Sequence, residues 1–474
     1  MQPQSLESIH LPDDGTALIT PALDSLLQPA RREAVDEFPS IRPRLEAAHR
    51  ELAGGDAREA AASLQAVQAQ WPHPLPAMAA GVALALASDW RGALTRLSGS
   101  ADRLEERGLR DAALGCRLNL GYVHYVLGDP ASAETTLDRA VEAARHGGRT
   151  RLLAAGLHEK AVLRLRHGRY GDARRECERA MAECPGEGAA LAQVMSTQGI
   201  ASQALGELPR AEEEFRTSLS LASGASPFAE LRASVNLALL CQLTARGTEA
   251  LELLARATAI AERQGDARFL AKLRFLRALM DFGETGEEAL PAALAEVEQM
   301  RSLHYRKGEL DAIPMLVPCL LECGKTLEAE TLAASAVSAA EESGYLAGLL
   351  EAMCAAALVH LAGADAGRAR EAACSVLDKS EAAGQPVIAV KARRVLADVS
   401  LQEGEPERAL EHLRRAEREA AELGAQVLQC HLMEGIAGLL EICGRIDEAE
   451  AERAAAQARA LSIGVGRPIG VESE

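Results

Sequence analysis

From Leu118 to Ala140 the chain reads LNLGYVHYVLGDPASAETTLDRA: an apolar stretch with helical spacing, a Gly-Asp-Pro break, then a second helical stretch. The same punctuation recurs along almost the whole sequence. Breaks fall at Gly55, Ser88, Gly128, Gly168, Gly206, Arg246, Gly286, Gly324, Gly363, Gly404 and Gly444, and after a first interval of 33 residues the intervals are 38 to 41. A fixed period of this size predicts stacked helical hairpins, each unable to bury its apolar face alone.

The small residues have places in such a hairpin. An alanine follows each break, at Ala60, Ala93, Ala133, Ala173, Ala211, Ala250, Ala289, Ala329, Ala369, Ala409 and Ala449, where the second helix would cross the first. Seven residues before the break another small residue recurs, as at Gly81, Gly121, Ala161 and Gly199. Glycine at the break suits a left-handed C-cap, and the Asp, Glu or Pro after it suits a helix start, as in GDP at Gly128 and GEPERA at Gly404.

These residues resemble the tetratricopeptide (TPR) repeat: Leu120, Gly121, Gly128, Asp129, Ala133, Leu137 and Ala140 in one unit, Ile200, Gly206, Ala211 and Phe215 in another, and Gly404, Ala409, Leu413 and Ala416 in a third. The likeness spans roughly residues 40 to 460. It implies an all-α fold, a right-handed α-solenoid of about eleven TPR-like helical hairpins. The unit is longer than the usual TPR and looks like the arrays of bacterial maltose-regulator-like activators, Rap-type regulators and Leu-Gly-Asn-repeat adaptors. The expected organisation is an N-terminal arm or tail over 1–38, with strand-like IHLPDDGTALIT, a superhelix over 39–461, and a C-terminal tail over 462–474. The last unit, GRIDEAEAERAAAQARA, is polar enough to cap the array.

Composition agrees. Hydrophobic residues make up 48% of the 474-residue chain but aromatics only 3%, so the core is one of Ala, Leu and Val. The net charge of -18 disfavours nucleic acid and anionic membranes as partners. No apolar run is long enough to span a bilayer and the N-terminus has no leader pattern, so a cytoplasmic location is expected. The ten cysteines include no CxxC pair, and Cys319 and Cys323, four apart, are expected to be reduced, packed thiols. The richness in Ala, Arg and Gly suggests a bacterial coding sequence.

No phosphate loop, dinucleotide fingerprint, zincin motif or nucleophile elbow is present, so an enzyme is not expected, nor a metal or cofactor. Carboxylates such as Glu159 and Asp281 have nothing but position to recommend them as catalysts. TPR arrays bind along the surface lined by the first helices, and projecting those helices nominates Asn119, Tyr122, Tyr125, His158, Arg166, Arg232, Asn236, Gln242, Arg274, Lys391 and Arg394 as exposed partner-binding residues. Asn119 and Asn236 hold the same place in their units. An Asn there would grip a peptide backbone, or else tie one repeat to the next.

Between Arg145 and Arg175 nine Lys or Arg stand against two acids, a net of +7, with His146, His158 and His167 nearby. Such a band would attract a partner with acidic or phosphate-bearing groups, or be consumed by salt bridges to Glu134, Glu142, Glu178 and Glu183. The expected function is a non-catalytic interaction scaffold or adaptor that holds a protein or peptide segment. The alternative is a signal-responsive regulator whose array binds a small molecule or short peptide and acts on a transcription or signalling protein. The terminal segments are candidates for homo-oligomer contacts.

Overall fold

The computed structural model describes residues 6–10, 17–21, 43–45, 47, 48, 51, 57–87, 89–186, 188–303 and 305–462. These form an α-solenoid of helical hairpins. Leu6–His10 and Ala17–Pro21 pair as an antiparallel ribbon, and the second strand lies beside helices Pro74–Leu86 and Arg110–Val126. The remainder of the expected arm, the breaks at Gly55 and Ser88, and the tail beyond Ser462 fall outside the described residues.

Two compact units are present: Met1–Leu163 with Arg175–Leu191, and Arg164–Arg174 with Ala192–Glu474. In the first, repeat 3 is the hairpin Arg110–Val126 and Pro130–His146. In the second, repeats 6 to 11 have as first helices Pro227–Leu243, Ala267–Thr285, Arg306–Glu322, Leu346–Ala362, Pro386–Gln402 and Gln426–Ile442.

The hairpin geometry follows from the small residues. A side chain on Gly121 would strike Leu137 at 2.6 Å, and one on Gly199 would strike Phe215 at 2.5 Å, so the glycines let a large residue of the second helix seat against the first. Ala133, Ala211, Ala329 and Ala449 are fully buried at the same crossings.

Most turns close with a backbone bond reaching back five residues, such as Asp129 N–H to the His124 carbonyl and Arg246 N–H to the Cys241 carbonyl. At two turns the left-handed residue is an alanine: Ala245, just before the break expected at Arg246, and Ala364, just after the one expected at Gly363.

The two layers differ. First helices in the second unit are buried nearly all round, and those of repeats 7 to 10 also touch one another directly. Second helices bury a single stripe, as Pro406–Leu423 does with Ala409, Leu410, Leu413, Ala416 and Ala420. The first helices are therefore the inner layer. In the last helix, Glu450 and Arg453 occupy the places of Leu410 and Leu413, and Ala449, Ala456 and Ala460 are its buried residues. That substitution suits a terminal repeat whose outer face meets water.

Within the second unit, segments far apart in sequence meet. The turn at Gly206 packs on Pro386 and Leu423, the turn at Gly168 on Leu346, and the first helix of repeat 6 touches that of repeat 11.

Candidate functional site

The sixth residue of each first helix from repeat 6 to repeat 11 is Arg232, Lys272, Asp311, Glu351, Lys391 and His431. The hairpins repeat in register, so equivalent positions stack from one inner helix to the next. A polar column thus runs along a layer otherwise made of Ala, Leu and Val.

Ion pairs join the column between repeats 7 and 8 and between repeats 9 and 10. Lys272 Nζ lies 2.8 Å from Asp311 Oδ2, and Lys307 Nζ, one turn earlier on the same helix as Asp311, lies 2.8 Å from the same oxygen. Lys391 Nζ lies 2.7 Å from Glu351 Oε1. Lys307 also stands over the Tyr345 ring, 5.3 Å from its centroid. The Arg232 guanidinium covers Phe228 at 5.9 Å.

Burial sets the electrostatics. It would raise the Asp311 carboxyl, but the Lys272 and Lys307 ammonium groups outweigh it and hold the acid down to about 2. Burial pushes Lys272 below the usual lysine range, with Lys307 and Arg232 acting in the same direction and Asp311 opposing. For Lys391, burial is outweighed by Glu351 and its pKa rises. Burial, assisted by Arg394, lowers His431 to about 4, so it is neutral at pH 7. Burial raises Asp398 against the pull of Arg394.

The residues nominated from the sequence separate into three sets. Asn119, Tyr122, Tyr125, His158 and Arg232 are buried, between 1% and 8% exposed, which corrects the expectation that they face solvent. They belong to helices covered on both sides. Arg166, Asn236, Gln242 and Lys391 are partly buried, and Arg274 and Arg394 are exposed. Asn119, Tyr122, Tyr125 and His158 lie in the first unit and the other seven in the second.

Asn236 Nδ2 donates to Ser196 Oγ at 3.0 Å, one period back, so this asparagine ties two repeats together. Of the column, Arg232 and Lys391 were found from the sequence; Lys272, Asp311, Glu351 and His431 were not. The available signal was their common place in the period.

Much of the basic band is paired. Arg145 engages Glu142 and Glu183; Arg149 lies 2.7 Å from Asp111; Lys160 lies 2.8 Å from Asp138 and 3.1 Å from Glu176; Arg174 lies 2.7 Å from Glu207.

Glu159 and Asp281 fall in different compact units, and Asp281 is held by Arg277 at 2.9 Å. Burial pushes the Cys319 thiol up to about 11, which keeps it protonated. Among the described residues, no group of three or more His, Cys, Asp or Glu is placed to hold a metal. No helix among them is long and apolar enough to cross a membrane.

No protein-family model matches the chain, and no curated protein matches it. Solved structures do. A Rap protein complexed with competence and sporulation factor is similar with a TM-score of 0.56 at 13% identity, over 74% of this chain and 98% of that one. The human IFIT1 dimer with m7Gppp-AAAA gives a TM-score of 0.47 at 14% identity, over 82% and 90%. The apo quorum sensor NprR from B. thuringiensis gives 0.45 at 17% identity, over 75% and 92%. Identities this low speak to fold alone. Together with the turn chemistry and the hairpin period, the Rap likeness shows that this chain has a TPR-like α-solenoid fold.

Proposed function

We propose that the protein is a non-catalytic interaction scaffold that holds a peptide or protein segment against the inner helices of repeats 6 to 11. The observation that carries this reading is the polar column. Placing six ionisable side chains at one register of an Ala- and Leu-rich layer costs desolvation free energy that apolar residues would avoid. Such groups are useful where a polar main chain or charged side chain must be received. The Rap protein of similar fold is complexed with competence and sporulation factor, and the same kind of occupant is proposed here.

The test is site-specific photo-crosslinking in the native source. A crosslinker replacing Arg394, exposed on the first helix of repeat 10, is expected to capture the partner. One replacing Arg414, on the second helix of the same repeat, is not. Equal capture from both positions would overturn the inner-face assignment.

The second reading, a signal-responsive regulator, is favoured by the packing of Gly206 on Pro386 and Leu423. A ligand that loosens or tightens this contact would alter the second unit as a whole. It predicts a change in radius of gyration by small-angle scattering on adding the captured partner, and an unchanged radius counts against it.

A further inference from the structure

At repeats 7 and 8 the column is out of balance. Lys272 and Lys307 share one oxygen of one carboxylate, Asp311 Oδ2, at 2.8 Å each, and neither makes another ion pair among the described residues. The two ammonium nitrogens therefore lie close together, with two positive charges set against one negative. The Tyr345 ring lies beneath Lys307, and burial together with the nearby Asp311 charge holds its hydroxyl above the usual tyrosine range. Arg232, one repeat earlier in the column, adds charge of the same sign to the surroundings of Lys272.

The other lysine of the column is matched one to one, Lys391 with Glu351. The unmatched pair also keeps access to solvent: Lys272 is 13% exposed, Lys307 30% and Asp311 23%. An excess cation held in a partly dehydrated setting is attracted to an anion more strongly than one in bulk water. A second anion facing Asp311 across the two ammonium groups would restore the balance.

We propose that Lys272 and Lys307 form an anion subsite on the inner face of repeats 7 and 8, which receives a carboxylate or phosphate group of the bound molecule. This rests on the inner face of the second unit being the binding surface. Lys272 and Lys307 supply point charges with rotatable donors rather than a planar fork, so the subsite accepts either anion.

The test is isothermal titration of the full chain at low salt with three probes: inorganic phosphate, trialanine with a free C-terminus, and trialanine amide. Saturable binding of phosphate or free trialanine, at least tenfold tighter than the amide, is expected. Phosphate binding tenfold tighter than free trialanine assigns the site to phosphoryl groups; the reverse order, or equality, assigns it to carboxylates.

The Lys272→Gln/Lys307→Gln pair should weaken that binding at least tenfold, and Arg145→Gln/Arg149→Gln in the basic band less than twofold. Should the inner pair fail to fold, Lys307→Gln alone, at the more exposed position, should weaken binding several-fold. No saturable uptake of either anion, or unchanged affinity in the inner variants, overturns the subsite. Preserved crosslinking at position 394 in that case would leave the inner-face reading standing.

Discussion

The basic band between Arg145 and Arg175 and the lysine pair at repeats 7 and 8 invert each other. The band is the most cationic stretch of the chain, yet Asp111, Asp138, Glu142, Glu176, Glu183 and Glu207, all outside it in sequence, are paired with its cations. The inner pair is two lysines in an acidic chain, and the two share a single carboxylate, Asp311. Charge counted in a sequence window misses partners one hairpin period away, such as Glu183 for Arg145. A solenoid brings those partners together, so local density says little about the field a ligand meets.

The largest effect should come from reversing one charge in each region. Lys272→Glu sets a second carboxylate against Asp311 in a place where neither can be freely hydrated, and should cost about 3–5 kcal/mol of stability. Arg149→Glu breaks the pair with Asp111, but Arg149 is 48% exposed, and the loss should be about 1 kcal/mol or less. Urea unfolding of the two variants measures both. Equal losses would mean that the inner pair is as well solvated as the band, and the contrast would fail.

A second test asks whether the enclosure of the second unit has an energetic basis. Gly206 and Gly444 both have left-handed backbones, with φ of 79° and 74°. Alanine at either should cost about 1–2 kcal/mol for the conformation alone. At Gly206 the new methyl would also meet Leu423 Cδ2 at 2.4 Å and Pro386 Cγ at 2.7 Å, whereas Gly444 faces open space. The leucine tip can swing away; the proline ring cannot. Gly206→Ala should therefore lose roughly a further 1–3 kcal/mol from overpacking, read as a lower melting temperature than that of Gly444→Ala. Matching melting temperatures would show that the contact yields freely.

Much of the fold was legible because turns announce themselves. Gly128, Gly168, Gly206, Gly324, Gly404 and Gly444 adopt the left-handed conformation expected at a C-cap. A second series, Gly108, Gly148, Gly186, Gly224, Gly265, Gly344, Gly384 and Gly424, does the same at the ends of second helices and was equally present in the sequence. Ala245 and Ala364 were not legible, since an alanine gives no sign that its backbone is left-handed.

The site was far less legible. Projecting an isolated helix assumes one wet face, but the inner helices are enclosed, so Asn119 and Tyr122 were expected outside and are buried. The column escaped notice because its members, Arg, Lys, Asp, Glu, Lys and His, change type and sign at each repeat. What they share is position, and composition does not register position.

Acidification sharpens the contrast further. His431 at the end of the column has its folded pKa depressed to about 4, below the ordinary 6.5. The unfolded chain therefore binds more protons between these values, and this stabilisation is fully present above about pH 6.5 and is lost as pH falls toward 4. His73 has the same depression, and His412 is lowered as well. His431→Gln should therefore flatten, without abolishing, the fall in melting temperature between pH 7 and pH 5. A His431 variant with the parent's pH profile would remove the residue from the enclosed layer.

The smallest expected effect separates tying from binding. Asn236 bonds Ser196 across one repeat boundary, and losing one such partly buried bond should cost about 1 kcal/mol. Asn236→Ala should therefore lower stability slightly in urea unfolding while leaving crosslinking at position 394 and anion affinity within twofold of the parent. Ser196→Ala should give a similar loss, and the double variant little more than either alone, because both changes remove the same bond. If Asn236→Ala instead abolished capture at unchanged stability, the asparagine would be a peptide grip after all. Recognition would then extend beyond the charged column to the amide face beside it.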